Sequence, residues 1–122
     1  MIKRYSCNRM LQLWSDKTKY DAWLRVELAV CDIYHRQGLI LDQEKTALDK
    51  ATFSINRIKQ LELETKHDVV SFTRAVSETL KAEKRWIHYG LTSSDVVDTA
   101  TGLILKQVNI ILLKDILDLR KV

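Results

Sequence analysis

Proline is missing from all 122 residues, and glycine occurs only three times. Proline breaks helices and is common in loops, while glycine is the usual residue of tight turns. A chain this poor in both favours helices joined by short connections. Cysteine is scarce as well. Cys7 and Cys31 lack metal-ligand spacing, no metal site is expected, and both thiols are expected reduced, as in a cytoplasmic protein. No uninterrupted run of about 18 apolar residues occurs, so no membrane-crossing span and no membrane partner are expected. The basic start, MIKRYSCNRM, is followed by no apolar stretch of the kind that builds a secretory signal. A strong excess of one charge sign is absent too. Twenty Lys and Arg against sixteen Asp and Glu leave a formal charge of +4, interspersed along the chain. That balance suits an anionic ligand, but not the dense basic stripe of a nucleic-acid binder, so no nucleic-acid partner is expected.

What is present is the composition of a globular chain, with 46% hydrophobic and 30% charged residues over a length that suits one domain. The spacing predicts an all-α fold of about five helices. The first ten residues read as an extended or irregular arm. Ser15 is placed to cap a helix whose apolar face carries Tyr20, Trp23, Leu24, Leu28, Cys31 and Tyr34, with Gly38 as its C-terminal cap. Asp42 is placed to cap a second helix through Ala51, and Ser54 a third with Ile55, Ile58 and Leu61 or Leu63 on its apolar side. Asp68 is placed to cap a fourth with Val69, Phe72, Val76 and Leu80. The last segment, from Asp95 onward, is apolar around much of its circumference and calls for neighbours on most sides. Its pattern runs to Val122 without a capping residue, which suggests a piece of a longer protein whose last helix enters a bundle or oligomer core. Self-association through residues 96–119 is the corresponding expectation.

Three places carry residues suited to chemistry. Arg4-Tyr5 pairs a guanidinium fork with a phenol, a combination that suits phosphate or carboxylate, although a surface arm is the plainer reading. Lys66-His67-Asp68 stands at the mouth of a helix, where unpaired N–H groups favour an anion and His67 is the side chain that titrates near neutral pH; a helix cap beside a solvated histidine explains the same residues. In RWIHYGLTSSDVVDTA, Thr92, Ser93 and Ser94 precede the long helix. One hydroxyl suffices as a cap, and the others are spare donors at a positive helix end.

The segments MIKRYS, TKHDVVSFTRAVSE and WIHYGLTSSDVVDTA, in this order and spacing, resemble the N-terminal part of the adenylosuccinate lyase family, within the fumarase/aspartase superfamily. The resemblance spans essentially the whole chain. It implies a C–N lyase of purine and AMP biosynthesis that releases fumarate by β-elimination from adenylosuccinate and from the succinyl-carboxamide ribonucleotide, with no metal or organic cofactor. It implies that Arg4 and Tyr5 hold the nucleotide phosphate and that Lys66, His67 and Asp68 line the substrate pocket, with His67 as an auxiliary catalytic histidine. Thr92 and Ser93 would donate to a substrate carboxylate, and His88 is a second-tier candidate. Lys66 stands where many relatives carry arginine, which keeps the charge but loses the bidentate fork. The family's proton-shuttling histidine, in a Thr-His motif, and its catalytic serine loop do not occur in this sequence. The 122 residues are therefore expected to be inactive alone. Family members are homotetramers around a central helical bundle, which implies an N-terminal helical domain over 1–91 and the start of the bundle over 92–122. The alternatives are a relative such as an argininosuccinate lyase or a carboxymuconate cycloisomerase, and a non-catalytic helical oligomerisation module.

Overall fold

The computed structural model describes residues 3–121; Met1 and Ile2 of the first motif, and Val122, to which the last apolar pattern was expected to run, lie outside the described residues. The fold is all-α, with six helices and two 3₁₀ turns and no strand among the described residues. The helices are α1 (Asn8–Leu13), α2 (Asp16–Arg36), α3 (Asp42–Leu48), α4 (Ile55–Thr65), α5 (Asp68–Ser77) and α6 (Ser93–Leu119). The 3₁₀ turns are Lys3–Tyr5 and Ala82–Trp86.

The start of the chain departs from the expected irregular arm, because it forms the first 3₁₀ turn and then α1. One nearby contact and one distant in sequence hold it. Thr18 Oγ1 donates to the Gln12 carbonyl at 2.6 Å, and Arg9 forks onto Asp115 near the far end of α6 at 3.0 and 3.2 Å.

Helix α2 begins and ends where its signals lie. The Ser15 hydroxyl accepts from the Thr18 N–H. At the other end Gly38 takes φ +77, its N–H donates to the His35 carbonyl, and the Leu39 N–H donates to the Tyr34 carbonyl. These two bonds form a Schellman motif, for which a residue without Cβ is needed. Two caps fall one residue earlier than expected. Leu41, not Asp42, caps α3, which closes at Leu48; the Leu41 N–H donates to Glu44, but leucine offers no oxygen in return. His67, not Asp68, caps α5 through Nδ1, leaving Asp68 as the first helical residue. In both cases the carboxylate sits inside the first turn, where the helix dipole favours it. Ser54 caps α4 as expected.

The core forms where α2 packs along α6 and α4 packs on α5. Phe72 of α5, fully buried, lies parallel to the Tyr20 ring at 5.8 Å and edge-on to Trp23 at 5.4 Å. Ile58, Leu61, Val69, Val76, Leu48 and Ile40 close around them. Every buried side-chain polar atom among the described residues has a partner. From α6 the core receives a single stripe, Val96, Ala100, Ile104 and Val108, at four-residue spacing. Beyond it Leu105, Ile110, Leu112, Leu113, Ile116, Leu117 and Leu119 stand exposed. By length and composition alone α6 would pass as a membrane span. The sequence expectation of no span counted uninterrupted apolar runs, and Asp98 and Lys106 interrupt this one.

Candidate functional site

The α4–α5 junction, Lys66 and His67, is tightly determined backbone. Lys66 ends α4 in the left-handed region, φ +51, with its N–H on the Glu62 carbonyl at 3.0 Å. That conformation is unfavourable for a residue with a Cβ and persists where neighbours over-determine it. Here the neighbours are two hydroxyls. The His67 N–H donates to Thr65 Oγ1 at 3.2 Å, Thr65 and Ser71 share a 2.6 Å hydroxyl contact, and Ser71 Oγ donates to the His67 carbonyl at 2.6 Å. Ser71 is fully buried, so the backbone of His67 is fixed from within the core. The side chains of Lys66, His67 and Asp68 are exposed. His67 Nδ1 accepts the Val70 N–H at 3.4 Å and lies 3.6 Å from Asp68 Oδ1. The junction thus presents an ammonium, an imidazole and a carboxylate at the positive end of α5.

The second group lies before α6. Thr92 is the cap, and its N–H donates to Asp95 Oδ2 at 2.8 Å. The hydroxyls of Ser93 and Ser94 make no hydrogen bond among the described residues, so both remain available at the first turn of a 27-residue helix. That end carries roughly half a positive elementary charge. The loop leading to it is tied down at several points. Tyr34 donates to the Tyr89 carbonyl at 3.1 Å, and Trp86 and Tyr89 pack edge-on at 5.4 Å. Glu44 accepts from Arg85, the Trp86 indole and the Leu41 N–H. These contacts, the Leu41 N–H foremost, then Trp86 and Arg85, hold the Glu44 carboxyl below its ordinary pKa. Gly90 turns at φ +72, and a Cβ there would meet the Tyr34 hydroxyl at 2.6 Å.

His88 is the centre of this loop and the residue the sequence ranked second. Its backbone is left-handed, φ +62, and both of its nitrogens nearest the core are held by one carboxylate. The His88 N–H donates to Glu27 Oε2 at 2.7 Å, and His88 Nδ1 lies 2.7 Å from Glu27 Oε1. Glu27 is only 1% exposed. Sequence reasoning passed over it. The available signal was a carboxylate on an otherwise apolar stripe, between Trp23 and Cys31 on the buried face of α2.

The third group, Arg4 and Tyr5, stands apart. The Arg4 guanidinium lies 5.0 Å from the centre of the exposed Tyr5 ring. The Arg9–Asp115 ion pair anchors this arm near the end of α6, about 33 Å along the helix from Ser93. No hydrogen bond or ion pair among the described residues joins the three groups. The structure builds each one but does not assemble them. A surface groove of about 360 Å³, lined by Lys17, Asp21, Leu24, Phe53 and Ile55, contains none of the candidate residues.

Comparisons with known proteins bear on the whole chain. The pattern of a family described as lyase matches residues 3–122. The adenylosuccinate lyase of Bacillus subtilis (strain 168) is 51% identical over 117 residues, which is 95% of this chain and 27% of that protein. Those of Streptococcus mutans and Staphylococcus saprophyticus are 50% and 47% identical over the same length. The chain thus spans about a quarter of the length of these relatives. Among solved structures, a fumarate lyase from Mesorhizobium sp. BNC1 superposes with a TM-score of 0.72 over 82% of this chain and 25% of that one, at 19% identity. That likeness speaks for the fold.

Proposed function

The chain belongs to the lyase family, and from that premise we propose that it forms the N-terminal part of an adenylosuccinate lyase, releasing fumarate from adenylosuccinate to give AMP. The observation that carries this reading is identity near 50% across 95% of the chain to proteins of that name. The succinyl-carboxamide ribonucleotide of purine synthesis is the second substrate in this reading, and the parent is a cytoplasmic homotetramer.

In the elimination, a base takes the proton beside a carboxylate, electron density moves to form the fumarate double bond, and the C–N pair leaves with a nitrogen that an acid protonates. Negative charge gathers at the carboxylates on the way, so preorganised donors accelerate the step. Ser93, with the Thr92 hydroxyl beside it at the start of α6, supplies such donors to a substrate carboxylate. Lys66, His67 and Asp68 line the pocket at the start of α5, with His67 next to the reacting portion and Lys66 contributing charge without a bidentate fork. Arg4 and Tyr5 hold the nucleotide phosphate. The principal acid and base come from the part of the relatives' length that lies outside these 122 residues. No metal or cofactor enters this scheme. In this reading residues 1–91 form the N-terminal domain and 92–122 the first turns of the central bundle. The exposed apolar side of α6 is the surface other subunits cover. Its hydroxyl-rich cap and the remote Arg4-Tyr5 arm favour a site completed by several chains, which also fits this family better than a free-standing oligomerisation module.

Fumarate release from adenylosuccinate, measured on this chain and on the chain extended to the relatives' length, tests the proposal. Activity confined to the extended chain is expected. A well-folded extended chain that releases no fumarate from adenylosuccinate but acts on another succinylated amine would move the assignment to a different member of the superfamily.

A further inference from the structure

His88 and Glu27 form a unit that the lyase reading leaves unexplained. Three histidines occur in the chain, and the structure gives each ring a different set of partners. His35 places Nε2 2.7 Å from Asp42 Oδ1. A carboxylate accepts, so the neutral ring carries its proton on Nε2. His67 accepts the Val70 N–H at Nδ1, which likewise leaves the proton on Nε2. His88 is the reverse, because the carboxylate of Glu27 faces Nδ1. Its proton therefore sits on Nδ1, and Nε2, which makes no hydrogen bond among the described residues, is the open acceptor.

We propose that Glu27 is a positioning residue for His88, fixing its ring in the Nδ1–H tautomer and its backbone in the left-handed turn so that Nε2 is presented as a hydrogen-bond acceptor toward the ligand. Two independent constraints meet in one side chain. Oε1 accepts a hydrogen bond from Nδ1–H and Oε2 one from the backbone N–H, each at 2.7 Å, and the carboxylate is almost wholly shielded from water. Neither contact survives rotation of the other, so the tautomer and the turn are locked together. This is the arrangement by which a carboxylate behind an imidazole sets which nitrogen faces the substrate. Open in this way, Nε2 can accept a hydrogen bond from a ligand hydroxyl or amine while Glu27 keeps hold of Nδ1–H. That Nε2 faces a ligand at all rests on the lyase reading; the tautomer does not.

The substitution Glu27→Gln inverts the tautomer. A glutamine has one acceptor where the glutamate has two. Its carbonyl takes the His88 N–H and its amide donates to Nδ1, which drives the ring proton to Nε2. Long-range ¹H–¹⁵N correlation of the three histidine rings in this chain, in a pH series reaching the neutral imidazole, reads this directly, with His88→Gln to identify the signal. The expected result is Nδ1–H for His88 alone, Nε2–H for His35 and His67, and inversion at His88 in Glu27→Gln. A wild-type His88 in the Nε2–H form, or a Glu27→Gln spectrum unchanged at His88, overturns the proposal. The wild-type spectrum decides the first point even if the variant does not fold. Since no substrate is present, failure here is distinct from failure of the fumarate assay.

Discussion

Both halves of α6 are apolar on more than one side, the second the richer in Leu and Ile, yet their surroundings are opposite. In the first half, Val96, Ala100 and Ile104 are buried where α2 packs along the helix. In the second, Ile110, Leu113, Ile116 and Leu119 are each more than half exposed. A helix apolar on most sides tells that it will be covered, and the covering element is a separate matter. The folded head supplies that cover for one stripe over about four turns, and the rest of the circumference waits for surfaces of other origin. Solvent-exposed apolar area of this size is the mark of an interaction surface.

The contrast breaks most readily in the head. Phe72→Ala removes a fully buried ring between Tyr20 and Trp23 and is expected to cost about 3–5 kcal/mol, read as a fall in the urea midpoint. A loss below about 1 kcal/mol would mean that the head is not the close-packed unit it appears in the structure. Gly90→Ala is expected to cost about 1–3 kcal/mol, because it places a Cβ at φ +72 and 2.6 Å from the Tyr34 hydroxyl. Combining it with Tyr34→Phe should recover part of the loss in the thermal midpoint. If the double variant is no better than the single, the left-handed backbone accounts for all of it. On the distal half of α6 the double variant Ile110→Gln and Ile116→Gln is expected to leave unfolding within about 0.5 kcal/mol of the parent. It should nevertheless abolish self-association in sedimentation velocity at high concentration. A stability loss like that of Phe72→Ala would show that this half is already covered.

The smallest effect is one of pH. The Glu44 carboxyl is lowered by the Leu41 N–H, the Trp86 indole and Arg85. A lowered carboxyl stabilises the fold above its ordinary value near 4.3 and loses that contribution as pH falls through the folded-state value. Glu44→Gln should therefore melt slightly lower than the parent at neutral pH. The gap should narrow as pH falls below the ordinary carboxyl value and close once it passes the lowered folded-state value. A gap that persists into acid would assign the effect to lost packing instead.

Local signals were the legible part of this fold. Ser15, Ser54 and Gly38 mark helix ends because a cap needs a particular atom or a particular φ, and both are visible one residue at a time. The apolar stripe of α2 was equally visible. Part of what the sequence concealed depends on chain segments far apart, since α1 packs against α6 and α2 with Arg9 paired to Asp115. The rest is local, since Asp68 yields the cap to His67 where Ser71 and Thr65 fix the backbone beside it. Of the candidate residues, Lys66, His67, Asp68, Thr92 and Ser93 were read from motif and helix start alike. Glu27 was not, since a carboxylate on an apolar stripe gains meaning only once His88 is seen across from it.

The ion pair between Arg9 and Asp115 has a consequence for how defects combine. It secures the Arg4-Tyr5 arm at one end of α6 while Thr92 and Ser93 stand at the other, about 33 Å away. Should both ends grip one nucleotide, the arm and the cap at any given site belong to different copies of the chain. A copy damaged at Arg4 still lends an intact cap to its neighbour, and a copy damaged at Ser93 still lends an intact arm. Two individually inactive variants of the extended chain, mixed before assembly, would then restore one another in part.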